Sequence, residues 1–291
     1  MLGIFALGAQ RLLPVLQQAY ASWANILGSQ ASLQDAIELL DQPMPDYIDQ
    51  ASDQKLPFKY HINIRSLDFR YSPHMPYIFR NLNLKISKGS RVGFVGPTGC
   101  GKSTLLDIVM GLLNPIKGEI EIDGLTICAS NKRAWQAHIA HVPQVIFLSD
   151  TTIEENIAFG VPKDKIDRNL VREVAKQAQI NDLIESWLHK YNTFVGERGI
   201  RLSGGQRQRI GIARALYKQA DVIIFDEATS ALDSETESTV MEAIEVLGEH
   251  LTVLIIAHRV TTLKQCTQIV ELSNGGIKRV GSYQQIVGVT K

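Results

Sequence analysis

The sequence holds no run of 18 or more consecutive apolar residues, so no segment reads as a helix that crosses a bilayer unaided. Its start, Met1-Leu2-Gly3-Ile4-Phe5-Ala6-Leu7-Gly8, is apolar but short, and it lacks the basic leader of a secretory signal. Net charge is absent too. The 30 basic residues balance 30 acidic ones, which argues against any partner drawn by a global field, nucleic acid above all. Cysteine is scarce: Cys100, Cys128 and Cys266 are odd in number and have no metal-ligand spacing. That argues against a disulfide framework and points to a reduced, cytosolic setting. No internal repeat or low-complexity tract occurs. What is present is an ordinary globular composition, 45% hydrophobic and 21% charged, and 291 residues are ample for a buried core.

Residues 1–42 carry helical periodicity, with Leu12, Leu13, Leu16, Tyr20, Trp23, Ile26 and Leu27 recurring at steps of three and four. Gly28-Ser29 interrupts the pattern. Leu33, Ala36, Ile37, Leu39 and Leu40 then predict a second, shorter helix that ends before Pro43 and Pro45. Residues 43–58, with Pro43, Pro45, Pro57, Asp46, Asp49 and Asp53, read as a linker. From residue 59 to 290 the texture is α/β. Residues 62–65, 82–86 and 118–123 alternate apolar with polar, as half-buried strands do. Residues 223–225 and 253–256 are wholly apolar, which suits central strands of a parallel sheet covered on both faces. Residues 103–113 predict a helix, and residues 150–212 read as mostly helical.

The chemistry sits in three strings. Gly96-Pro97-Thr98-Gly99-Cys100-Gly101-Lys102-Ser103 follows the strand at 91–95 and has the spacing of a phosphate-cradling loop. Its glycines let backbone amides turn toward a ligand, and the following helix offers its positive end. Lys102 is expected on the β- and γ-phosphates, Ser103 on Mg²⁺, and Thr104 beside the α-phosphate. Ile223-Ile224-Phe225-Asp226-Glu227 delivers two acids to the carboxyl edge of a sheet. Asp226 is expected to act on Mg²⁺ through water, and Glu227 to polarise the attacking water as general base. In Leu202-Ser203-Gly204-Gly205-Gln206, a hydroxyl and glycine amides at the start of a helix make a second anion site. One chain does not need two γ-phosphate sites.

Taken in order with His258 after Ile255-Ile256-Ala257, these motifs resemble the ATPase of ABC transporters over about residues 60 to 290. The resemblance implies an α/β fold: a P-loop NTPase (RecA-like) core sheet, an antiparallel β subdomain and a helical signature subdomain, preceded by N-terminal helices. It implies ATP hydrolysis with ATP and Mg²⁺ bound. Gly96, Pro97, Thr98, Gly99, Cys100, Gly101, Lys102, Ser103 and Thr104 would hold the phosphates. Tyr71, in Phe69-Arg70-Tyr71, would stack on adenine, with Tyr77 as rival. Gln144, after His141-Val142-Pro143, matches the loop that touches Mg²⁺ and senses a membrane partner, and His258 matches the switch histidine on the γ-phosphate.

In the family the Ser203, Gly204, Gly205 and Gln206 string faces the phosphate loop of a second cassette, so each ATP is clamped within a homodimer or paired cassette. Asp233, in Ser230-Ala231-Leu232-Asp233, matches the loop through which two cassettes communicate. Residues 193–199 resemble an exporter segment that touches the membrane domain. Phe194 stands where the family more usually has Glu, which leaves Glu197 as the better contact. Residues 1–58 resemble the cytoplasmic end of an exporter's last transmembrane helix and its connector; a docking helix of a separate subunit is the alternative. The likeness points to exporters or flippases for polysaccharides or lipid-linked oligosaccharides, on the cytoplasmic face of a membrane. A soluble ABC ATPase acting on DNA or ribosomes is the rival class. The DNA-repair type needs a long coiled coil between phosphate loop and signature, for which this gap is too short. The translation type usually carries two cassettes. A non-hydrolysing cassette is disfavoured because Lys102, Glu227 and His258 are all present.

Overall fold

The apolar runs at 222–226 and 252–256 lie side by side in the middle of a parallel sheet, the position their two-sided hydrophobicity requires. The computed structural model describes residues 2–42, 56–226, 251–256, 263–273 and 275–286. Its chain divides into two compact units, Met1–Ala51 and Ser52–Lys291.

The described residues of the first unit form a single helix, α1 (Leu2–Leu40), which corrects the expectation of two helices broken at Gly28-Ser29. A glycine in a helix interior costs only about 1 kcal/mol relative to alanine, and no proline follows Gly28 before Pro43 to turn that cost into a break. Pro14 lies inside α1 as well. Leu12, Leu16, Tyr20, Trp23 and Ile26 are all exposed along it. Among the described residues no helix is long and apolar enough to cross a membrane. A lone helix gains little from propensity, so α1 without a covering surface opens readily. Limited trypsin digestion in detergent-free buffer will therefore cut early at Arg11. It will cut slowly at Lys59, whose backbone N–H is tied to Asp123, as are those of Tyr60 and His61. Equal resistance at both sites, followed by mass spectrometry, would show that α1 is covered.

The second unit runs β1 (His61–Phe69), β2 (Phe79–Ser87), β3 (Arg91–Val95), α2 (Lys102–Val109), β4 (Lys117–Ile122) and β5 (Leu125–Thr126). There follow α3 (Lys132–Gln136), β6 (Ile139–Val142), α4 (Ile153–Ile157), α5 (Arg168–Gln177), α6 (Asn181–Ser186) and α7 (Gly204–Tyr217). β7 (Val222–Asp226), β8 (Thr252–Ile256), β9 (Gln268–Ser273) and β10 (Gly276–Gly281) are the remaining strands among the described residues. The alternating segments form an antiparallel sheet in the order β2-β1-β4-β5, and the apolar ones enter a second sheet, β10-β9-β3-β8-β7-β6. Within the second sheet every pair from β9 through β6 is parallel; only β10 on β9 is antiparallel.

Two cores follow from this layering. One packs α2 and the fully buried Trp135 between the two sheets, with the Trp135 indole N–H donating to the Val109 carbonyl at 2.8 Å. The other packs α4, α5, α6 and α7 over the opposite face of the parallel sheet. Residues 150–212 are less continuously helical than their composition suggests. Their helices are short, and Gly196 and Arg198, both at positive φ, redirect the chain before α7. The resulting architecture is the expected one: a P-loop-type α/β sheet, an antiparallel β layer and a helical layer leading into α7.

Candidate nucleotide site

Parallel strands carry their carboxyl ends to one edge, and that topology gathers the chemistry. Gly96 leaves β3, the Gln144 loop leaves β6, and Asp226 ends β7 on the strand beside it. The phosphate loop is shaped by close approach. At Gly96 (φ 150°) a Cβ would lie 2.4 Å from the Leu272 carbonyl oxygen of β9, which only glycine allows. Gly101 (φ 100°) starts α2 in the left-handed region, against Ile78 and the Phe79 ring. Cys100 is buried under the loop and packs there as a small apolar residue.

Lys102 is buried, and its ammonium arches back to donate to the carbonyls of Gly96 (3.0 Å) and Pro97 (3.1 Å). A cation is thus held along the loop, at the positive end of α2. Ser103 Oγ donates to Asp226 Oδ1 at 3.3 Å across 123 residues of sequence. A hydroxyl and a carboxylate oxygen so placed are the donor set a hard divalent cation takes, and they fit Mg²⁺. Thr104 Oγ1 lies 3.0 Å from the Tyr71 hydroxyl, which brings Tyr71 to the loop. The Tyr71 ring is exposed and meets Phe69 edge-on at 5.2 Å. Tyr77, the rival aromatic, has its ring engaged by the guanidinium groups of Arg70 (4.8 Å) and Arg80 (4.6 Å).

Two neighbours escaped the sequence reading. Asp107 and His141 both interact electrostatically with Asp226. Desolvation lowers the His141 pKa, while Asp226 and Asp107 pull it back up; desolvation raises that of Asp107. The signal for Asp107 was its place one helical turn beyond Ser103, on the same face of α2.

Ser203 is the N-cap of α7. Its Oγ accepts from the Gln206 N–H at 3.3 Å, and Gln206 Oε1 accepts from the Ser203 N–H at 2.9 Å, a capping box. The cap uses a lone pair of the hydroxyl and leaves its proton to donate. Gly204 and Gly205 begin the helix without side chains to obstruct its positive end. The expected anion site and an ordinary cap are therefore the same geometry. Glu227, Asp233 and His258 lie outside the described residues; the strands that lead to Glu227 and His258 end at the same sheet edge as the phosphate loop.

Residues 79–230, just over half of the chain, match the family model described as ABC transporter. The chain belongs to the ABC transporter family. It carries that family's ATP-binding and ATP-hydrolysing domain. Among its relatives, ABC transporter B family member 18 of Arabidopsis thaliana is 42% identical over 231 residues, covering 79% of this chain and 19% of that protein. Multidrug resistance protein pgp-1 of Caenorhabditis elegans is 36% identical over 266 residues, covering 90% of this chain and 20% of that protein. A solved structure of a bacterial Atm1-family ABC exporter with ATP bound superposes with a TM-score of 0.80 at 32% identity. It covers 97% of this chain, which spans 49% of that one. The chain therefore spans from a fifth to half the length of these proteins. These relatives are transporters and exporters by name, and the rival class of DNA- or ribosome-acting ATPases gains nothing from them.

Proposed function

We infer that this chain is the cassette that powers an exporter, driving export or the flipping of a lipid-linked glycan across a membrane from its cytoplasmic face. The observation that carries the nucleotide reading is the meeting of Ser103 and Asp226 beside the start of α2. In this reading Ser103, Asp226 and Gln144 would hold Mg²⁺, which would neutralise charge on the phosphates. Lys102 exchanges the loop carbonyls for β- and γ-phosphate oxygens, and the amides from Gly99 to Thr104 receive the rest of the phosphate chain. Tyr71 offers its exposed ring to adenine. Glu227 takes the proton of the attacking water, and His258 donates to the γ-phosphate.

The second anion site explains the partner. Ser203 to Gln206 would serve the ATP of another cassette, and Asp233 matches the loop through which paired cassettes communicate. Apolar side chains support a membrane-domain partner. Val145 and Phe147, just after Gln144, are exposed, as are Phe194 and Ile200. Nearby, a cavity of about 630 Å³ is lined by Leu112, His141, Phe159, Val161, Arg214 and Tyr217. Its apolar walls with a few polar groups suit a short helix from the membrane domain.

The test is assembly. With Mg-ATP at high protein concentration, light scattering will report a dimer that is absent without nucleotide, and Ser203→Arg, which fills the anion site, will abolish it. A wild-type chain that remains monomeric under those conditions would remove the two-cassette reading.

A further inference from the structure

Arg214 reaches from α7 to the chain that follows Gln144. Its Nη1–H donates to the Phe147 carbonyl at 2.9 Å, its Nε–H to the Asn156 carbonyl at 2.9 Å, and Nη2–H to Asn156 Oδ1 at 3.3 Å. The same guanidinium lies 4.7 Å from the centre of the Phe159 ring. Its acceptors are fixed in turn. Asn156 is fully buried, and its amide donates to the carbonyls of Ser149 and Thr152, each at 3.0 Å. Burial lowers the Arg214 pKa, but a guanidinium keeps its charge in proteins, so these are charge-assisted bonds.

The neighbouring residues make the same connection without polar groups. One turn before Arg214, Gly211 leaves a notch for Ile146: a Cβ there would come within 2.5 Å of Ile146 Cδ1. Leu148, the next buried residue, packs against Gly199, where a Cβ would meet its Cδ1 at 2.8 Å. Arg207 Nη1 ties the carbonyls of Gly199 (3.4 Å) and Leu202 (2.6 Å) back to α7. Residues 146, 147 and 148 are thus seated in succession on α7 and on the segment that leads into it. Ser203 caps the other end of α7, about 16 Å of helix away from Arg214. A regular helix of that length tips as one body.

We propose that Arg214 is a positioning residue for ATP hydrolysis: it fastens the loop carrying Gln144 to the helix carrying Ser203, so that displacement of one swings the other. Arg214 bonds to backbone and amide oxygens of that loop and of α4, not to the phosphate loop. The proposal rests on the two-cassette reading above, because only there does the orientation of Ser203 affect turnover.

Arg214→Lys keeps a cation on α7 but has no fork to span three acceptors. In the purified chain with Mg-ATP, calorimetry at low protein concentration will give wild-type ATP affinity, since the phosphate loop hangs on β3 and α2. ATP-dependent dimerisation and saturating turnover will fall roughly tenfold, within the usual range of coupling between sites. Arg214→Ala will show the same split more strongly. Gly211→Ala, which pushes Ile146 off α7 while leaving Arg214 in place, will show it through an independent contact. If ATP affinity, melting temperature and turnover drop in step, Arg214 is only a prop for the helical layer and the proposal is overturned. Wild-type dimerisation and turnover in Arg214→Lys overturn it as well. A wild-type chain that never dimerises overturns the two-cassette reading instead, and the role of Arg214 falls with it.

Discussion

Glu227→Gln will leave ATP binding intact and lower phosphate release by roughly 10²- to 10⁴-fold, the usual contribution of a positioned general base. The substitution keeps the size and shape of the side chain and removes its basicity, so the attacking water loses its proton acceptor. Asp226 and Ser103 remain together, and the metal donor set is untouched. If two cassettes close on ATP as proposed and hydrolysis reopens them, the same variant will accumulate as a dimer with Mg-ATP. Phosphate release near the wild-type rate in the purified variant would strip Glu227 of the role and move the search to other acids at the sheet edge.

Lys102→Ala will act earlier, on binding itself. Charge-assisted hydrogen bonds contribute about 1.5–3 kcal/mol each, so ATP affinity measured by calorimetry will fall roughly tenfold to a hundredfold. Turnover will fall further, because the ammonium also stabilises charge that develops during phosphoryl transfer. The side chain has a structural task too, since Nζ holds the carbonyls of Gly96 and Pro97. A thermal melt therefore belongs beside the calorimetry. Unchanged affinity in a folded variant would count against the phosphate-loop assignment.

The contrast between these residues and Arg214 shows what a sequence makes legible. Phosphate loops are read easily because the constraint is local. Glycines at fixed spacing, a strand before and a helix after are all visible within a dozen residues, and the wholly apolar runs that became β7 and β8 announce their burial. The fold class follows from those runs. Continuity of α1 was not legible, since a glycine and a serine lower helix propensity without deciding the outcome. On paper only the resemblance favours Tyr71 over Tyr77, since the two side chains are chemically equivalent. What separates them is tertiary: two arginines take the ring of Tyr77, while Thr104 meets the hydroxyl of Tyr71. Arg214 reads as one more solvated charge on an amphipathic helix. Only the folded chain reveals that its acceptors are carbonyls of residues 147 and 156.

The position of β3 carries a consequence for biosynthesis. Both of its neighbours, β8 and β9, are encoded far downstream of it, and the Leu272 carbonyl is what Gly96 rests against. As the polypeptide emerges from the ribosome, the phosphate loop is made long before its flanking strands exist. Pairing over such a span is slow and leaves hydrophobic edges waiting. A nascent chain arrested before residue 252 will therefore hold a complete phosphate-loop motif and yet retain no nucleotide. Competence to bind ATP is acquired only once β8 and β9 have left the exit tunnel, so the phosphate loop waits on strands made well after it.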